Sequence, residues 1–402
     1  MSSRFRLLGF LTLPLLSALS PLILLPVVAR VGGASGWASF TTAQAIGTAA
    51  GVLISYGWYI VGPPRIVASA PSEHAAIYSE SLRCKLALSA VLLPLASVLA
   101  ARLAAEGFGP IAVATCIASA VLYGFTFTWY QVGLGNPKPI ALYETLPRLA
   151  GTCVAVVTII WSGDLVHYGL IMTVVSLTSI AMFHRKTFQR TFIFLEPPAR
   201  PLVSALRFGF PAAIVATVSL GFSALPLPLV SATQSLVETG QFASAQKLYV
   251  YGLIVVTSTM DAVQAWALKG DAADREARTA RVSVVMGLVG IAGALVFAFG
   301  GTGLTTLLFG SEVAAHRDVN LGFALAYLAS SIATVAVRLV LIPEGLSKIV
   351  LRNNIVAVVG GIALMLVGAA TLGIAGVGLG LGTGQCVYCV LNWMSVRGYR
   401  RR

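Results

Sequence analysis

The chain has 402 residues, of which 57% are hydrophobic and only 10% charged, with a mean hydropathy of +0.88 and a formal net charge of +13. An ordinary soluble domain carries about 25% charged residues, so these values exclude a water-soluble globular protein and point to an integral membrane protein. The apolar runs are 19 to 28 residues long and rich in Leu, Ala, Val and Gly, which suits spanning helices and not the short alternating strands of a barrel.

The first run, 7–29, carries Pro14, Pro21 and Pro26 and ends on Arg30 and a glycine turn at 32, 33 and 36. It is longer than the h-region of a signal peptide, about 7 to 15 residues, and no small-x-small cleavage site follows it, so it reads as the first span. Further runs near 37–62, 86–105, 110–132, 140–162, 165–183, 208–232, 242–267, 282–309, 319–342, 350–372 and 374–396 bring the number of predicted spans to twelve. Cytoplasmic segments should hold the Lys and Arg excess. With both termini inside, 21 of the 27 basic residues fall on the cytoplasmic side, three (Arg30, Arg102, Arg317) fall outside, and Arg148, Lys247 and Arg338 fall within spans. All six tryptophans sit at predicted span ends, where an amphipathic ring suits the headgroup layer. Orientation and attraction to an anionic inner leaflet account for the positive net charge, so no nucleic acid partner is expected.

The longest polar interruption, 184–207, divides the spans six and six, giving an N-terminal bundle at 1–183, a cytoplasmic linker, and a C-terminal bundle at 208–402. The halves echo each other. Arg6-Leu-Leu-Gly9-Phe10 resembles Arg207-Phe-Gly209-Phe210, and Gly36-Trp-Ala-Ser-Phe-Thr-Thr-Ala-Gln44 resembles Gly240-Gln-Phe-Ala-Ser-Ala-Gln246. Six spans separate the copies, an even number, so the repeat is parallel. Span 7 also repeats the prolines of span 1, with Pro211, Pro226 and Pro228. Each removes a backbone donor and crowds the carbonyl four residues back, so these helices are expected to bend and to act as hinges.

Charges inside spans carry the chemical argument, because a basic residue at mid-bilayer costs on the order of 2.5 to 3.5 kcal/mol and usually faces a cavity or a partner. Arg148 lies about 12 Å into span 5 at 1.5 Å per residue, one helical turn after Glu144. The two read either as a structural ion pair or as a cavity charge. Lys247 is about 8 Å into span 8, a cavity cation or an interfacial snorkel, and Asp261 is near the other end of that span. Arg338 can snorkel from the end of span 10, and Arg30 is an interfacial anchor or a gate. Glu144 and Asp261 are the candidates for proton or sodium coupling. Cys386 and Cys389 have C-x-x-C spacing but no second ligand pair. The glycines at 373, 376, 378, 380, 382 and 384 open an apolar span without the strand or the Lys-Ser/Thr of a phosphate loop, which suits close helix packing. The four histidines show no metal spacing, so no metal or cofactor is expected.

Several loose motifs are in a familiar order: Ala29-Arg30-Val31-Gly32 with Gly36; Tyr56-Gly57 and Gly62-Pro63-Pro64-Arg65-Ile66-Val67; Trp129-Tyr130-Gln131; Arg148 in span 5; and Gly240-Gln-Phe-Ala-Ser-Ala-Gln-Lys247. With these the whole chain resembles the polysaccharide flippases (O-antigen and exopolysaccharide repeat-unit) of the multidrug/oligosaccharidyl-lipid/polysaccharide exporter (MOP) superfamily. The resemblance implies an all-α membrane protein of two six-helix bundles around a basic central cavity. It implies movement of a polyprenyl-diphosphate-linked oligosaccharide from the inner to the outer leaflet of the bacterial inner membrane. Arg30, Arg148, Lys247 and Arg338 would then bind the diphosphate, and a polysaccharide polymerase and chain-length proteins would be partners. Pro63-Pro64 and the scarcity of acidic residues depart from the pattern. A cation-coupled drug antiporter of the same superfamily would more often line its cavity with acidic residues. A membrane polymerase or ligase would display a large outer loop, whereas the outer loops here reach only about nine residues.

Overall fold

The computed structural model describes residues 3–105, 108–189, 192–219, 222–269 and 271–400, with the backbone alone at 3–19, 219, 265, 272 and 400. The side chains of Arg4, Arg6, Pro14, Arg190 and Arg400 to Arg402 therefore lie outside the described ones. Every long element is a helix, and no strand occurs among the described residues. The order is α1 (Ser3–Ser55), α2 (Trp58–Val67), α3 (His74–Leu103), α4 (Pro110–Val121), α5 (Thr128–Leu134), α6 (Lys138–Ile140), α7 (Leu146–Ser162), α8 (Val166–Phe188), α9 (Leu202–Ser219), α10 (Pro226–Thr233), α11 (Leu236–Ala267), α12 (Ala272–Leu295), α13 (Gly301–Phe309), α14 (Arg317–Val335) and α15 (Ser347–Arg400).

Eight described stretches are long and apolar enough to cross a membrane. Two of them, Ser20–Val67 and Ser347–Tyr399, have 48 and 53 residues, enough for two passes each at about 20 residues per pass. Both contain a glycine outside the helical region, Gly33 at φ 59° and Gly373 at φ 59°, where only glycine adopts the backbone without penalty. With α9 plus α10 and with α11 the passes number twelve, as the hydropathy and charge pattern predict.

The chain folds as two compact units, Met1–Leu220 and Gly221–Arg402. Span 7 is itself divided, since α9 belongs to the first and α10 opens the second. The internal repeat is visible in each core. Phe40 and Ala43 are buried in the first unit as Phe242 and Ala245 are in the second. The glutamines that follow both donate hydrogen bonds, Gln44 to the Tyr168 hydroxyl and Gln246 to the Ser223 carbonyl. Helix α11 starts on a capping box in which Ser235 and Glu238 satisfy each other's backbone N–H.

In the second unit the halves of α15 form an antiparallel hairpin. A Cβ on Gly376 would lie 2.1 Å from the Gly368 carbonyl oxygen, one on Gly380 2.6 Å from the Met365 nitrogen, and one on Gly384 3.0 Å from the Gly361 Cα. Residues two apart on a helix point to opposite sides at 100° per residue. Gly378 and Gly382 accordingly face away from that seam and meet Val319 and Gly322 of α14. The glycine ladder is thus two packing stripes on one helix.

Two expectations change. Helix α3 begins at His74, twelve residues before the predicted span, so Lys85, read as a cytoplasmic loop residue, is buried within a helix. Trp37, Trp58 and Trp129 are buried and do not face headgroups. Trp58 packs on Trp129, with Tyr78 stacked on the latter at 5.7 Å, because these rings fill the end of a helix bundle where a larger apolar area is covered by protein. Trp161, 88% exposed, keeps the expected outward position.

Candidate functional site

Span 5 opens with a π-turn over Ala141–Thr145 before α7. Pro147 has no N–H to give to the carbonyl of Tyr143 and its ring crowds that oxygen, so the preceding turn widens. The widened turn carries Glu144. Span 4 is broken at the same level, since α4 ends at Val121, a tight turn covers Leu122–Phe125, and α5 starts at Thr128. The Thr126 and Thr128 hydroxyls at this break donate to Glu144 Oε2 at 2.7 and 2.8 Å. The backbone carbonyl of Thr126, freed by the break, accepts from Lys85 Nζ at 3.3 Å.

Arg148 stands one turn beyond Glu144, at 3.6 Å. It also donates to the Tyr123 hydroxyl and lies over that ring at 3.8 Å. Glu144 and Arg148 line a pocket with Thr126, Tyr143, Ser176 and Ser179 whose water-accessible space is about 30 Å³, room for one or two water molecules. Arg148 and Glu144 thus meet in a nearly closed part of the first unit, with Lys85 held on the Thr126 carbonyl beside them.

A second buried pair in this unit escaped the sequence reading. Arg65, on α2, grips Glu80 of α3 with two hydrogen bonds of 2.6 Å, the bidentate geometry that makes such pairs strong. The Glu80 side chain is 1% exposed. The Arg65 guanidinium also sits 5.6 Å from the Trp58 ring and 5.5 Å from that of Phe208 on α9.

In the second unit another π-turn, Ala336–Leu341, precedes Pro343 and carries Arg338. Its Nη2 donates to Asp261 Oδ1 and to Gln264 Oε1 of α11, both at 2.5 Å. A pocket of about 190 Å³ lined by Ser330, Thr334, Arg338, Gln385 and Tyr388 lies beside it. Both side chains of the pair remain partly open, 31% for Arg338 and 44% for Asp261. Replacing Asp261 by asparagine is therefore expected to shift stability by less than about 1 kcal/mol, measured by thermal unfolding in detergent micelles.

The predicted residues fall in two groups. Arg30 and Arg148 belong to the first unit and Lys247 and Arg338 to the second. Glu144 is brought to Arg148, and Asp261 to Arg338. Arg30 is exposed three residues before the Gly33 kink, and Lys247 is partly buried on α11. Pro21 and Pro26 lie inside α1, whose non-helical residue is Gly33; Pro211 lies inside α9, and Pro226 and Pro228 are in the first turn of α10.

No family model matches the chain. A protein of Shigella dysenteriae named "Putative O-antigen transporter" is 24% identical over 351 residues, which cover 85% of this chain and 86% of that protein. Among solved structures, the lipid II flippase MurJ in an inward closed conformation superposes with a TM-score of 0.70 and 12% identity, covering 96% of this chain and 87% of its own. An inward-facing multidrug resistance MATE family transporter of the MOP superfamily gives 0.66 at 14% identity, covering 96% and 94%. A MOP superfamily transporter from Pyrococcus furiosus gives 0.60 at 14% identity, covering 98% and 94%. The chain has the fold of the MOP superfamily transporters and, along most of its length, resembles in sequence a protein named for O-antigen transport.

Proposed function

We propose that the protein is a flippase that moves a polyprenyl-diphosphate-linked oligosaccharide repeat unit from the cytoplasmic to the outer leaflet of the bacterial inner membrane, for cell-surface or exopolysaccharide assembly. The observation that carries this reading is the sequence likeness to a protein named for O-antigen transport over 85% of this chain and 86% of that protein. The likeness in fold to a lipid II flippase supports a lipid-linked substrate. So does the sign of the charges within spans, where Arg148, Lys247 and Arg338 outnumber Glu144 and Asp261.

In this reading a diphosphate, with about two negative charges, pairs with Arg148 and Lys247 while the lipid tail stays in the bilayer. Arg338 assists, Arg30 gates the outer end, and the prolines of spans 1 and 7 are hinges for alternating access. With the cell interior negative, outward movement of each negative charge is favoured by about 2.3 kcal/mol per 100 mV. The membrane potential can therefore drive transport, with Glu144 or Asp261 available to couple an ion. Both termini lie in the cytoplasm, and a polymerase and chain-length proteins take the product.

The test is reconstitution in vesicles with a labelled polyprenyl-diphosphate oligosaccharide whose leaflet exposure is followed in time. The intact protein speeds transfer. Arg148→Gln and Lys247→Gln each slow it at least about tenfold, the equivalent of one charge-assisted hydrogen bond, with folded protein recovered at the same yield. No transfer by the intact protein, or undiminished transfer by both variants, refutes the proposal.

A further inference from the structure

Residues 192–199, expected as part of a cytoplasmic linker, are docked on α3. Ile193–Leu195 forms a tight turn whose Ile193 side chain is buried. Arg83 donates through Nε to the Phe194 carbonyl at 2.9 Å and through Nη2 to the Glu196 carbonyl at 3.1 Å, and the Ser79 hydroxyl donates to the latter at 2.6 Å. The Ala199 N–H bonds the Ala76 carbonyl at 3.2 Å. Those of Leu195 and Glu196 bond within the turn, and Pro197 and Pro198 have none. From residue 195 to residue 199 the backbone therefore leaves no N–H without a partner.

The side chains turned away from this seam are apolar. Phe192 and Leu195, 62% and 69% exposed, stand three residues apart in a turn of three residues, so they project to one side while Ile193 points inward. Val203, 62% exposed, follows in the first turn of α9. In bulk water these groups would form an exposed apolar patch, and the hydrocarbon core admits a spanning helix but not such a segment. The headgroup layer suits both features, because the apolar tips reach the acyl boundary and the backbone leaves few donors to hydrate. Its neighbours place the segment there, since the apolar helices α8 and α9 run from its two ends into the membrane. Charge selects the lipid. Residues 185–207 hold five basic residues against one acidic, and Arg185, Lys186 and Arg207 are exposed. We infer that this segment is a membrane-surface element, in which Phe192 and Leu195 insert among lipids while the flanking bases bind anionic phospholipid headgroups.

The experiment places the photoreactive residue p-benzoylphenylalanine in place of Phe192 or Leu195, and in place of Val359, on the exposed face of α15, as the reference. The full-length protein is reconstituted in vesicles of phosphatidylethanolamine and phosphatidylglycerol and irradiated, and its adducts are identified by mass. Lipid adducts are expected at positions 192 and 195. Their ratio of phosphatidylglycerol to phosphatidylethanolamine should exceed that at position 359 by at least about fivefold, the equivalent of one basic residue near an anionic surface. Arg185→Gln, Lys186→Gln and Arg207→Gln combined abolish the enrichment. If that variant fails to insert, salt at about 1 M gives the same answer, because it cuts the screening length from about 10 Å to about 3 Å. Absence of lipid adducts at both positions, an adduct to another protein chain in place of lipid, or a lipid ratio equal to that at position 359 overturns the inference. So does enrichment that survives the substitutions or, where these fail to insert, the salt. No transport step enters the readout, so the proposed function stands or falls separately.

Discussion

Replacing Glu80 by leucine is expected to lower the unfolding free energy by about 3 to 5 kcal/mol. Glu80 is 1% exposed and takes both of its strong hydrogen bonds from Arg65. Without it the guanidinium stays in a largely buried position, held against the rings of Trp58 and Phe208 and unable to regain full hydration. Arg65→Met strands the carboxylate instead and is expected to cost a similar amount. The double variant, Arg65→Met with Glu80→Leu, should recover most of the loss, because a well-packed apolar pair often replaces a buried ion pair at little cost. Denaturant unfolding of the four proteins in micelles closes the cycle. Single effects that add to within about 0.5 kcal/mol of the double would show that the two side chains are not coupled.

This pair also marks where sequence reasoning stopped. Twelve spans were legible because each needs about 20 apolar residues, and the basic residues alternate with them. The stretch from His74 to Lys85 is too polar for that filter and reads as loop. Ile77, Tyr78, Ser81, Leu82 and Lys85 share one helical face, but Ser79, Glu80 and Cys84 on the other faces are buried as well, so this segment is enclosed nearly all round. Around Tyr78 the packing comes from an aromatic cluster of Trp129, Tyr130, Phe183 and His184, far away in the chain and invisible to any local pattern. Depth was legible for Arg338 and Asp261, each near the end of its span. Their pairing was not, since it depends on α11 lying beside the π-turn that follows α14, 77 residues later. Glu144 and Arg148 were found together because one helical turn separates them. The threonines that complete the cluster come from a break in span 4 that no proline or glycine pair announces.

The glycine stripe of α15 yields the other large effect. Gly376→Ala places a methyl where the Gly368 carbonyl already stands, 2.1 Å away, with the carbonyl carbon at 2.5 Å. Backbone cannot rotate aside as a side chain can, so the two halves of α15 must separate along the seam through Gly380 and Gly384. The expected cost is about 3 kcal/mol, the upper end of ordinary overpacking, and Gly376→Val should exceed it and reduce the yield of folded, monodisperse protein. Gly360→Ala, in the same helix, adds its methyl to open space and should be neutral or stabilising by about 0.5 to 1 kcal/mol, since alanine loses less backbone entropy in a helix than glycine. Thermal unfolding of the variants in micelles separates two accounts of the stripe. If the glycines serve close packing, position 376 is intolerant and position 360 permissive. If they serve helix flexibility, the two alanine variants should stiffen α15 and shift stability in the same direction.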